Sequence, residues 1–141
     1  MSETVAEALQ AFLARHCMNR KGYTAPRFRV HLGFVTLSFP NPGWLPFHDL
    51  HHVALDIPPT FWGEVEISAF ELKTGCPNFT ITMLCIGALC FGALVGPFRV
   101  RRAWRRFSRN QRNLYRGDLV YADLLALPLD ELRRQMKVPT S

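Results

Sequence analysis

The sequence predicts a mainly helical, single small domain built around a metal-binding helical hairpin, with a short strand in its N-terminal part. Three observations predict it. The 141 residues suit one hydrophobic core and leave little for a second. Apolar residues make up 48% and charged ones 20%, with eleven Phe, three Trp and three Tyr, which is too apolar for a disordered chain. Apolar residues then recur at three- and four-residue spacing through most of the chain, and prolines and glycines punctuate the runs.

Taken in order, Ser2 is placed to cap a first helix in which Val5, Leu9, Phe12 and Leu13 share a face, with Gly22 beyond its end. Over residues 26–39, Phe28, Val30, Leu32 and Phe34 alternate with Arg29, His31 and Gly33, the period of one half-buried strand. Pro40, Asn41, Pro42, Gly43 and Pro46 next form a loop entering the site, because prolines remove amide donors and fix the backbone. Residues 47–55 make a helix of about two turns that stops before Pro58 and Pro59. Thr60 caps the following helix, which runs through Glu64, Ile67, Phe70, Glu71 and Leu72 to Gly75. These two helices are the hairpin. A third helix covers residues 79–96 and ends at Pro97, and a fourth starts near Phe98 and extends through the arginines toward Leu127, with a break at Gly117. Pro128, Asp130 and Glu131 suit the first turn of a last helix, with Arg133, Arg134 and Lys137 toward its end, where the helix dipole favours cations. No repeat or low-complexity tract divides residues 1–141.

The hairpin carries the chemistry. His48 and His52 are four apart, so on a helix they project from one face and can share an ion. Glu64 follows twelve residues after His52, and the Pro58-Pro59 turn can fold its helix back toward the histidines. Asp49 sits about 100° round the helix from His48 and can ligate at the edge of the face or orient a ligand from behind. Two neutral imidazoles and two carboxylates balance a divalent charge. Such mixed nitrogen and oxygen donors fit zinc, ferrous iron or manganese better than magnesium or calcium. Glu71, two turns beyond Glu64, projects from nearly the same face as a candidate catalytic base or a group behind the ligands. His51 is expected to be an ordinary hydrogen-bonded or exposed histidine. The aspartate after His48 replaces the glutamate of the HExxH metalloproteases, and its shorter arm argues against that chemistry.

Residues 79–98 carry no charge and nearly reach the roughly 20 residues of a membrane span, but Gly87, Gly92 and Gly96 dilute the run. A buried or lipid-contacting helix is preferred to a single span. Eight of the seventeen basic residues are arginines between Arg99 and Arg116, giving a basic amphipathic helix with Val100, Trp104 and Phe107 on its other face. Such a face suits an anionic membrane surface, and no nucleic-acid-binding motif accompanies it. Cys17, Cys76, Cys85 and Cys90 form no CxxC pair and are expected to be reduced and structural. The N-terminus reads as an amphipathic helix rather than a signal peptide, so a cytoplasmic protein peripheral to a membrane is expected.

His48-Asp49-Leu50-His51-His52 followed by Glu64 resembles the HDxxH-x11-E signature of the coenzyme Q biosynthesis protein 4 family. The resemblance continues through Gly63-Glu64, Phe70-Glu71-Leu72, Thr74-Gly75, Gly96-Pro97 and Leu129-Asp130-Glu131-Leu132-Arg133, over residues 47–138; residues 1–46 form a divergent N-terminal part. What it implies is a helical fold, a metal held by His48, Asp49, His52 and Glu64, and a place in ubiquinone biosynthesis at the membrane. The implied chemistry is oxidative removal of the ring C1 carboxylate from a prenylated hydroxybenzoate, a lyase-type reaction, with the apolar third helix forming a groove for the prenyl tail. Zinc is the first choice of ion, with iron and manganese as the others. The alternative is a non-catalytic, prenyl-lipid-binding scaffold that docks other quinone biosynthesis proteins.

Overall fold

Helix signals in the first residues lie slightly later than Ser2. In a computed structural model describing residues 2–32, 35–41 and 43–139, Thr4 caps α1 (Val5–Arg15) in a reciprocal capping box: its hydroxyl accepts from the Glu7 amide while the Glu7 carboxylate accepts from the Thr4 amide. Two amides otherwise lacking partners are satisfied at once, which Ser2 does not offer. Val5, Ala8, Leu9, Phe12 and Leu13 are the buried face.

A 3-10 turn at Arg20–Tyr23 leads into a hairpin of β1 (Arg27–Leu32) and β2 (Val35–Pro40). The single strand expected over residues 26–39 is thus two antiparallel strands, with Arg27 opposite Pro40 and Leu32 opposite Val35. A period of two reads alike in one strand or in two that fold back, and the Arg27 guanidinium fixes the pairing by donating to Ser38 Oγ and Ser38 O, each at 2.9 Å. Gly33, Phe34 and Pro42 lie outside the described residues. Asn41 then ties the loop down, its amide donating to the carbonyls of Gly22, Tyr23 and Ala25. Pro46 falls in the first turn of α2 (Leu45–Leu55) rather than in the loop, because a missing amide is harmless there.

The rest is helical. α3 (Phe61–Thr74), α4 (Phe79–Val95) and α5 (Pro97–Arg106) pack together, while α1 packs on α2, α6 (Tyr121–Ala126) and α7 (Leu129–Gln135); α2 against α3 joins the two groups. Phe70, Leu9, Leu50, Ile67, Leu114, Leu132 and Met136 are the largest apolar side chains at the centre. The start of α1 meets the α6–α7 connection, since Val5 N–H donates to Leu127 O and Leu129 N–H to Glu3 O, both at 2.9 Å.

The expected fourth helix stops at Arg106, so Arg109, Arg112 and Arg116 do not lie on it. Residues 107–120 instead cross the core as irregular chain, burying Phe107, Leu114 and Tyr115, with the Asn113 side chain donating to Thr74 and Gly75. Burial of three large apolar groups outweighs helix propensity in a stretch that also holds Ser108, Asn110 and Gly117. α4 is 17 residues long, and no helix among the described residues is long and apolar enough to cross a membrane. It is no core helix either: only Cys85 and Gly92 are buried on it, and Phe79 and Leu94 are 76% and 84% exposed.

Candidate metal centre

Local chemistry sets the hairpin. Asp56 ends α2 in a left-handed conformation (φ 52°), a setting that aspartate tolerates better than most side chains. The Thr60 hydroxyl accepts the Gly63 amide at 3.2 Å and starts α3. Between them Ile57, Pro58 and Pro59 reverse the chain so tightly that a Cβ at Gly63 would stand 1.8 Å from the Pro58 carbonyl oxygen. Gly63 is the residue that lets the start of α3 reach the turn, and Glu64 is its neighbour.

Glu64 therefore faces both rings. Its Oε2 lies 3.1 Å from His48 Nε2 and its Oε1 lies 3.1 Å from His52 Nε2, and the two Nε2 atoms are 3.3 Å apart. The opposite ring nitrogens fix the tautomers. His52 Nδ1–H donates to the Ile57 carbonyl at 2.9 Å, so the turn that reverses the chain also orients this ring. His48 Nδ1–H donates to Glu71 Oε1 at 2.9 Å. Both Nε2 lone pairs and a carboxylate thus converge on one point that has no donor of its own, and such acceptors share a site only with a cation between them. With a proton there, His48 is the charged partner. Burial opposes its imidazolium, but Glu71 and Glu64 outweigh burial and raise it well above its ordinary value. Glu64 and Glu71 are disfavoured by burial too, yet the histidines hold both well below the usual carboxylate range. A metal ion satisfies the same acceptors, and His48, His52 and Glu64 offer atoms within 4.8 Å of one another.

Glu71 is buried, and its Oε1 accepts from three donors: His48 Nδ1, His51 Nδ1 at 2.8 Å and the Tyr115 hydroxyl at 2.6 Å. Its Oε2 faces Cys85 Sγ at 3.5 Å. This carboxylate sits behind His48, on the far side from Glu64. Asp49 is apart from the convergence point: it is buried and accepts the Tyr23 hydroxyl through Oδ2 at 2.6 Å. Burial raises its pKa, and the same burial pushes the Tyr23 phenol up. His51 is fully buried between Phe70 and Tyr115, and its Nε2 accepts the Leu114 amide at 2.9 Å. Tyr115, Cys85, Tyr23 and the Ile57 carbonyl have no place in the sequence motif; only the fold brings them here.

Fold and site together define a class: a small helical protein whose hairpin turns two imidazoles and a carboxylate onto one point able to hold a metal ion. In comparisons with known proteins, the chain matches no family model and no curated protein.

Proposed function

We propose that this is a metal-dependent, membrane-associated protein of ubiquinone biosynthesis that oxidatively decarboxylates ring C1 of a prenylated hydroxybenzoate. The observation that carries the reading is the convergence of His48, His52 and Glu64, three of the four ligating positions of the HDxxH-x11-E resemblance, on one acceptor-only point; Asp49, the fourth, is bonded to Tyr23 instead. Two histidines and one carboxylate are the donor set of catalytic zinc sites and of non-haem iron sites, so zinc stands first, with iron and manganese behind it. Three protein donors also leave room for a further ligand, which favours catalysis over a closed structural site. A bound divalent ion supplies Lewis acidity toward a substrate carboxylate or phenolic oxygen. The chain's own residues hold the frame: Glu71 keeps the His48 proton on Nδ1, Ile57 O keeps the His52 proton on Nδ1, and Glu64 adds negative charge. In the overall reaction the bond between ring C1 and its carboxylate breaks and carbon dioxide leaves, a hydroxyl from water takes its place on C1, and the two electrons and two protons released reduce dioxygen to hydrogen peroxide.

The membrane part of the reading is supported by α4 and α5. Leu94, Val95 and Phe98 form an exposed apolar edge, 84%, 60% and 83% exposed. Beside it, a groove of about 710 Å³ is lined by Arg99, Arg102, Arg105 and Arg106 against one carboxylate, Glu66. Apolar edges flanked by guanidinium groups suit an anionic bilayer surface. The test is to supply prenylated hydroxybenzoate and oxygen to metal-loaded protein. Decarboxylated product, absent with Glu64→Ala, supports the proposal. Tight binding of the prenylated ligand without turnover, in protein that holds its ion, favours the scaffold, which docks other quinone biosynthesis proteins.

A further inference from the structure

We propose that Cys76 and Cys85 form a reversible thiol–disulfide couple that takes a low-molecular-weight disulfide, such as oxidised glutathione, as co-reactant and sets how tightly the centre holds its ion. The regulatory half of this rests on the metal reading above. The two sulfurs are 3.9 Å apart, in contact but unbonded. Cys76 is half-buried in the turn after α3, just past Gly75, whose positive φ of 109° shapes that turn. Cys85 is 3% exposed on α4 and points at Glu71. A disulfide needs the sulfurs at about 2.05 Å, so the Cys76 side chain must turn toward Cys85 to close it. Exposure divides the roles: a small disulfide can reach half-buried Cys76, while Cys85, in contact behind it, is positioned to resolve the mixed disulfide.

The exchange balances without another oxidant. The Cys76 thiolate attacks one sulfur of the small disulfide, its S–S bond breaks and one thiol leaves. The Cys85 sulfur, losing its proton, then attacks Cys76 Sγ and expels the second thiol. Two protein S–H bonds are lost, two form on the small molecules, and two electrons move.

The link to the ion runs through three contacts. Cys85 S–H faces Glu71 Oε2 at 3.5 Å, Glu71 Oε1 accepts from His48 Nδ1 at 2.9 Å, and His48 Nε2 is at the convergence point. Disulfide formation removes the S–H, so the buried carboxylate has one donor fewer. Its charge then acts more fully on His48 Nδ1–H, and Nε2 becomes a stronger donor to a cation. The disulfide form binds the ion about fivefold more tightly, less than the roughly 10–100-fold effect of removing a whole outer partner, because a thiol is a weak donor.

The test uses the full chain equilibrated in mixtures of reduced and oxidised glutathione. Free thiols are alkylated and weighed by mass spectrometry, and zinc affinity is read by competition with a chromophoric chelator. A linked Cys76–Cys85 peptide, with exposed Cys17 and Cys90 still alkylated, together with the tighter zinc binding, is the expected result. Cys76→Ser keeps the Cys85 S–H and stays at the weaker affinity in every mixture; Cys85→Ala lacks it and stays at the tighter one. Alkylation of both residues throughout, or a disulfide that leaves zinc affinity unchanged, overturns the proposal. Reduced protein that binds no zinc overturns the metal reading and the coupling with it, while the masses still decide the disulfide.

Discussion

Glu71→Gln separates the charge behind His48 from the shape that carries it. Glutamine fits the same buried space and keeps an oxygen for the three donors from His48, His51 and Tyr115, but carries no charge. Hydrogen bonds to a charged group contribute about 1.5–3 kcal/mol against about 0.5–1.5 for neutral pairs, so three weakened bonds lose roughly 3 kcal/mol. Relief from burying a carboxylate offsets part of this, which leaves the metal-free protein about 1–3 kcal/mol less stable in urea unfolding. Ion affinity falls by a further, separable amount. Outer partners of metal-bound histidines are each responsible for about 10–100-fold in affinity, or about 1.4–2.7 kcal/mol. Competition with a chromophoric chelator measures it directly. If Glu71→Gln binds the ion within about twofold of the parent, the carboxylate does not act through His48 and the reasoning fails.

Three more outcomes follow from the same geometry. In the metal-free protein His48 is raised, so the stability it adds is fully present below its unfolded value of about 6.5 and is lost as pH rises through its folded value. Glu64 and Glu71 are lowered, so their share of the same ion pairs is present above about 4.3 and is lost as pH falls through their folded values. Urea midpoints should therefore decline on both sides of a plateau between those limits, and added metal should displace the His48 proton and remove the alkaline decline; a flat alkaline limb without metal contradicts this. Gly63→Ala drives a methyl group into the Pro58 carbonyl and should cost about 1–3 kcal/mol in urea unfolding while weakening ion binding through the displaced Glu64; unchanged values of both would show that the turn does not need the close approach. Replacing Arg101, Arg102 and Arg105 with glutamine should remove about 1 kcal/mol per charge, up to about 150-fold in partitioning onto phosphatidylglycerol vesicles, and added salt should reproduce the loss in co-sedimentation.

Much of the hairpin is legible from local chemistry. Thr60, the Pro58-Pro59 turn and the four-residue spacing of His48 and His52 act over a few residues, and the helices they delimit stand where that chemistry puts them. Pro97 likewise separates α4 from α5. What escapes is set by distant partners. The end of α5 at Arg106 depends on Phe107, Leu114 and Tyr115 finding the core, which no periodicity within the arginine run records. Tyr115 meets Glu71 across 44 residues, and Tyr23 meets Asp49 across 26. The exposure of α4 is hidden for the opposite reason: an evenly apolar helix has no polar face to mark which side is covered. Thr4 was available as a cap, because Glu7 three residues later completes the capping-box pattern that Ser2 lacks.

Whether His48, His52 and Glu64 hold one divalent ion is decided by elemental analysis of the purified chain beside His52→Ala. About one zinc, iron or manganese per parent chain and a large loss in the variant, with helical circular dichroism preserved, is the expected result. Equal metal content in the two proteins, or none in either after growth and purification with the metals supplied, contradicts it.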